Sequence, residues 1–290
     1  MSEETEKFFR AMSRAMEGRQ FKDQTEMEAF MDTFVGANID ELVAGHEMSS
    51  EDRAMEWVDQ AREARTRAQA VEWLKKALDV DPGCCEAKIR LAQLDSRSGL
   101  EHLQRLEEAI AAEEQRLGPD FFKEEKGHFW GMTETRPYMR ALFDQAWLLL
   151  ELGRLADAQK VLRRMIQLNK HDNQGVRMVL GPLCLRCGDQ KAYRALRNKF
   201  RATDDLELLW GDVLEACLLG DLDRAKTARA TALEANGYME AFLLGHRKLP
   251  KHMPASYTWK SPEQAVCAAL HLIPAWAAHP PAMAWLRAAR

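Results

Sequence analysis

The residues best equipped for chemistry or recognition lie between Gly118 and Pro137, in the stretch GPDFFKEEKGHFWGMTETRP. His128, Trp130, Glu134, Arg136 and the adjoining Tyr138 bring together a titrating ring, a carboxylate, a guanidinium and two amphipathic aromatics. A guanidinium can fork onto a carboxylate or phosphate, and Trp and Tyr make rigid anchors. One reading is therefore a recognition patch for a protein or peptide partner. A second is structural: the stretch plugs a gap between helix pairs, with Glu134 and Arg136 in internal ion pairs and the aromatics in the core. A third is a pocket with His128, Glu134 and Arg136 as its polar groups, in an enzyme or small-molecule-binding protein. Helical phase puts Arg140, Asn173 and Arg177 near one groove wall, as further candidates for partner contacts. Asn169 and Asn173 flank a helix-to-helix turn, so a capping role competes for both.

Other chemistry is sparse. Cys184-Leu-Arg-Cys187 is a C-x-x-C, but zinc needs about four ligands, and no second C-x-x-C or close histidine pair occurs. A redox reading wants a strand context that the surroundings lack. Both thiols are expected buried on one helix face, and the six cysteines in all are expected to be reduced. None of the eight histidines falls in H-x-x-x-H or H-E-x-x-H, and His46, His102 and His171 are expected at the surface. No P-loop, dinucleotide fingerprint or serine elbow is present, so neither cofactor nor metal is expected. His246, Arg247, Lys248, Lys251 and His252 form a basic run followed by Tyr257 and Trp259, read as a solvated strap or a site for an acidic peptide or phosphate.

The elements that would position these groups are helices. A repeat of about 34 residues recurs over Glu51 to Cys84, Met139 to Asp172 and Leu206 to Gly237, the length of a tetratricopeptide unit. Ala70 and Ala77 stand where paired helices need small residues for close approach. The predicted fold is all-α: a tetratricopeptide-like right-handed superhelix of antiparallel helix pairs with helical caps. Its segments are an N-terminal helical cap (1–48), first repeats (49–117), the aromatic-rich inserted loop (118–137), a second set of repeats (138–237) and a C-terminal strap and cap (238–290). Within the first cap, Thr25 to Glu28 reads as a capping box and Ile39 to Val43 as a short turn or helix. Ser49 or Ser50 caps the first true repeat. Ser261-Pro262 opens a late helix that Pro274 kinks or ends, and Pro281 begins the last one. The inner faces of the first helices offer Met55 and Asp59, then Arg140 and Asp144, which is not the Lys/Asn clamp that some tetratricopeptide domains use for a C-terminal carboxylate.

GPDFFKEEKGHFWGMTETRPYMRA at Gly118 to Ala141 and LNKHDNQGVR at Leu168 to Arg177 resemble the suppressor of tumorigenicity seven family and its bacterial tetratricopeptide relatives. The tail, YTWKSPEQAV with a later MAWLR, is similar to the end of those bacterial relatives, so the resemblance covers roughly residues 65 to 290. It implies an all-helical repeat fold and carries no enzymatic reaction with it. Lys170 departs from the proline usual there, which touches a helix end only. The membrane association suggested for the animal proteins does not transfer, because no segment here could span.

Composition bounds the rest. With 46% hydrophobic and 30% charged residues the chain is an ordinary globular protein. A net charge of -4 lacks the basic excess of a general nucleic-acid binder. The longest apolar run, Ala265 to Trp276, is short of the about 20 residues a bilayer needs, and MSEETEKFF is no secretory signal, so a cytoplasmic location is expected. The expected function is a non-enzymatic scaffold that binds a partner segment in a concave groove. The alternatives are the pocket at residues 118–140 and a homo-oligomer formed through the C-terminal helices with Trp276 and Trp285.

Overall fold

A computed structural model describes residues 3–16, 19–36, 48–202 and 204–289. The expected element at Ile39 to Val43 and the histidine at His46 lie outside the described residues. Fifteen helices are found among those residues, and the chain is all-α. It divides into two compact units, Met1–Ala141 and Leu142–Arg290.

The first unit contains α1 (Glu3–Met16), α2 (Gln24–Asp32), α3 (Ser50–Arg62), α4 (Arg67–Val80), α5 (Cys85–Asp95), α6 (Gly99–Glu124) and the start of α7 (Arg136–Glu151). Helix starts follow side-chain chemistry. Ser49, Thr66 and Ser98 cap α3, α4 and α6 by accepting from the amide three residues on. The capping pair of α2 is shifted from the expected register. Asp23, not Thr25, accepts the Glu26 amide at 2.9 Å, while Glu26 reaches back to the Lys22 amide at 2.8 Å. Asp23 takes the role because its backbone, at φ -155 and ψ 177, is the extended residue that precedes the helix, whereas Thr25 already lies within it. The helices α3 and α4 pack closely, and α5 lies against both. Ala54, Val58, Ala70, Leu74, Ala77 and Ala87 form their common core. The alanines matter because only small side chains let two helix axes come this close.

The expected loop at 118–137 is largely helical at its start. Gly118 takes φ 75, which breaks the α6 ladder, and Pro119 then opens a further helical stretch to Glu124. The irregular insert is therefore 125–135.

The second unit holds the rest of α7, then α8 (Leu155–Leu168), α9 (Val176–Arg186), α10 (Gln190–Lys199), α11 (Leu206–Leu218), α12 (Leu222–Ala235), α13 (Met239–Leu243), α14 (Pro262–Ala277) and α15 (Pro280–Ala288). Here α9 and α11 are apolar nearly all round and are buried at its centre. Each touches the other and α14. Gly211 lets Tyr193 of α10 lie against α11: a Cβ there would stand 2.5 Å from the Tyr193 hydroxyl. The α14 helix begins at Ser261-Pro262 as expected but runs past Pro274 to Ala277. The last helix starts at Pro280 rather than Pro281. The 1% exposed Trp276 packs edge-on against Trp210, centroids 6.2 Å apart. Its indole therefore belongs to the unit's own core and presents no surface for a second copy, while Trp285 is half-buried. No described helix is long and apolar enough to cross a membrane.

Candidate functional site

The insert is built on an aromatic cluster. Phe129 is fully buried and meets Phe121, Phe122 and Tyr138, with ring centroids 5.0–6.0 Å apart. The Thr135 hydroxyl donates to the Phe129 carbonyl, and Tyr138 donates to Glu114 at 3.1 Å. Arg136 is buried, and its Nε donates to the Trp130 carbonyl at 3.0 Å. Its guanidinium lies 5.7 Å from the Trp130 ring centroid. Trp130 itself is half-buried, and His128 and Glu134 are exposed. The candidates thus separate. Phe129, Tyr138 and Arg136 hold the insert together, while His128 and Glu134 face solvent. The expected internal pairing of Arg136 goes to another carboxylate, that of Glu6, at 3.5 Å.

That carboxylate is the entry to a chain of charges. Glu6 on α1 is 6% exposed and accepts two bonds from Arg140, at 3.0 and 3.1 Å. Arg140 also donates to Glu86 on α5 at 2.8 Å. Glu86 is 3% exposed and accepts from Arg62 and Arg90 as well, each at 2.9 Å. Burial pushes the Glu86 carboxyl up, but the guanidiniums of Arg140, Arg90 and Arg62 outweigh it and bring its pKa down to about 2. Arg62 continues to Asp59 at 2.6 Å, and Asp59 accepts from Arg10 of α1 at 2.8 Å. One turn further along α1, Arg14 pairs with Asp52 at 2.8 Å.

A helix is therefore seated on a face made by α3 and the first turns of α7, with Glu86 of α5 holding Arg140 from behind. Arg10 meets Asp59 and Arg14 meets Asp52, so α1 runs antiparallel to α3. A cleft of about 410 Å³ remains between the two, lined by Arg10, Ala11 and Arg14 on one side and Asp52, Met55 and Asp59 on the other. Met55, Asp59 and Arg140, assigned to inner faces from helical phase, are among the residues against which α1 lies. Glu6, Arg10, Arg14, Asp52 and Glu86 were not singled out from the sequence. Their signal was the spacing of Glu6, Arg10 and Arg14 at steps of four, one side of a helix.

In the second unit, Arg177 is committed to two carboxylates, Asp205 at 2.7 Å and Asp172 at 3.0 Å. Asp172, at φ 52, accepts the Val176 and Arg177 amides at 2.7 and 2.9 Å and so caps α9. The cap at this turn thus comes from Asp172 between the two expected asparagines. Asn173 is exposed, and Asn169 is buried at the end of α8. Of the C-x-x-C pair, Cys184 is buried and accepts from Gln159 at 3.1 Å, whereas Cys187 is exposed. The expectation of two buried thiols on one face fails for Cys187 because α9 ends at Arg186. His102 is half-buried on α6 rather than at the surface. The basic strap from 245 to 253 is solvent-exposed, with Arg247 over the Tyr238 ring. Among the described residues no group of three or more His, Cys, Asp or Glu could hold a metal ion.

Compared with known proteins, the chain matches no protein-family model and no curated sequence.

Proposed function

We propose that the chain is a non-enzymatic scaffold of tetratricopeptide-like helix pairs whose first-helix face binds a helical segment of a partner protein. The observation that carries this reading is α1 itself, a helix held against α3 and α7 by side-chain ion pairs. A face that accepts one helix by charge complementarity has the shape and chemistry to accept another. The contacts of α3 with α4 and α5, and of α9 with α10 and α11, support the pairwise repeat order of a right-handed tetratricopeptide superhelix. The resemblance of Gly118 to Ala141 to the suppressor of tumorigenicity seven family supports the repeat fold and implies little about activity.

The test places a photo-reactive residue at Met55, which lines the cleft. Irradiation in the native host is expected to join Met55 to a helical segment of another protein. Crosslinks confined to α1 under all conditions would sink the scaffold reading. A small ligand in the same cleft is a second reading, since about 410 Å³ lies within the usual range for ligand sites. The charged lining argues against it, because such sites are mostly apolar.

A further inference from the structure

We infer that α1 is an intramolecular occupant of this face, and that the partner displacing it is a protein helix with an acid followed four and eight residues later by bases. The inference rests on the face being a docking surface, as proposed above, and adds what occupies it and what competes.

The first observation is how α1 is held: its small residues Ala11 and Ala15 are buried, and its arginines and Glu6 pair with α3 and α7. Among the described residues, the apolar cluster under α3, α4 and α5 is built of residues such as Val58, Leu74 and Ala77. The Phe8 ring of α1 turns to Phe34, in the turn that follows α2. Phe8 meets Phe34 edge-on at 6.3 Å, and Phe34 meets Phe30 at 5.0 Å. The pair α1–α2 therefore carries its own small aromatic cluster.

The second observation is the chemistry of the seat. Glu6, Arg10 and Arg14 project from one side of α1 with a rise of about 6 Å per step. The face opposite offers bases first and acids after: Arg136 and Arg140 take Glu6, then Asp59 takes Arg10 and Asp52 takes Arg14. The outer pairs are partly solvated, with side chains 12–21% exposed. Pairs of that kind contribute little individually and weaken with salt. They select an order of charges more than they supply affinity. A cleft of about 410 Å³ lies beside them, lined by Arg10 and Arg14 on α1 and by Asp52, Met55 and Asp59 on α3.

When α1 leaves, neither end of the face is stranded. Asp59 keeps Arg62, Arg140 keeps Glu86, Asp52 keeps the Ser49 hydroxyl, and Arg136 keeps the Trp130 carbonyl. An opening that strands no buried charge avoids the large cost of an unpaired ion. A competing helix must then present the same order, acid first and bases at the next two turns.

The experiment uses the full chain and a fluorescent peptide of residues 1–20. Arg10→Glu/Arg14→Glu sets acids against Asp59 and Asp52 and releases α1. If α1 is docked in roughly nine molecules of ten, an outside ligand binds the wild type about tenfold more weakly than its intrinsic affinity. The expected result is peptide binding at least about tenfold tighter to the variant than to the wild type, lost when the peptide carries Glu6→Arg. Equal binding to both chains, or none to a variant with native circular dichroism, would overturn the inference. Should the variant not fold, hydrogen exchange on the wild type decides. Excess peptide is expected to speed exchange in α1 and leave α3–α5 unchanged; exchange of α1 in step with α3–α5, indifferent to peptide, overturns it. The Met55 crosslink separates the two claims. A partner joined equally to wild type and variant keeps the scaffold and removes self-occupancy, and a partner joined to neither removes the scaffold.

Discussion

Glu86→Gln tests whether the charge chain under α1 is a structural hub. The carboxylate is 3% exposed and accepts from three arginines, at 2.8–2.9 Å. Its pKa falls from an ordinary 4.5 to about 2. At 1.36 kcal/mol per pH unit, that preference for the ionised form contributes about 3 kcal/mol of stability. Mutational experience is consistent, since removing one partner of a buried pair costs about 3–5 kcal/mol. The lower end applies here because Arg62 keeps Asp59 and Arg140 keeps Glu6. A glutamine retains the shape but places its own amide donors against guanidinium donors. Urea denaturation near pH 6 is therefore expected to show a loss of about 3 kcal/mol. Because the folded pKa is depressed, the carboxylate's contribution is complete above the unfolded pKa and disappears as pH falls from about 4.5 through about 2. The gap between wild type and variant should thus narrow by about 2 kcal/mol at about pH 3. A loss under about 1 kcal/mol near pH 6, or a gap that does not change with pH, would refute the hub.

Three further outcomes are expected. Gly211→Ala places a Cβ 2.5 Å from the Tyr193 hydroxyl and 2.9 Å from its ring, so it should cost about 1–3 kcal/mol in a chemical melt. A melt indistinguishable from wild type would show that α10 and α11 can part. Burial, aided by Asp205 and opposed by Arg177, raises the Glu207 carboxyl from 4.5 to about 7. The folded state then binds the extra proton between those values, and stability falls as pH rises through the window. Glu207→Gln should therefore stabilise the protein at about pH 8 and change little at about pH 5, and a pH-independent difference would refute the assignment. Trp130→Ala should cost about 1–2 kcal/mol, below the roughly 3–5 for a fully buried aromatic, because its ring is half-buried. A loss in the upper range would mean the insert closes over it.

The sequence by itself determined the helices and many of their ends. Ser49 and Ser261-Pro262 act through neighbours in the chain, so their effect is legible without knowing the fold. Helical phase also put Met55 and Asp59 on one side of their helix, because phase is a property of one helix at a time. The α2 register was harder, since Asp23 and Thr25 both offer cap oxygens and only geometry chooses. The tertiary structure alone decided which charges pair. Glu6 and Arg140 are 134 residues apart in the chain, and Arg62 and Glu86 belong to different helices. No local pattern encodes such a partnership, because an ion pair depends on where the backbone brings two side chains and how much water is excluded around them. For the same reason Arg136, Arg140 and Arg177 read in sequence as hands held out to a partner, while in the folded units each holds a carboxylate of its own chain.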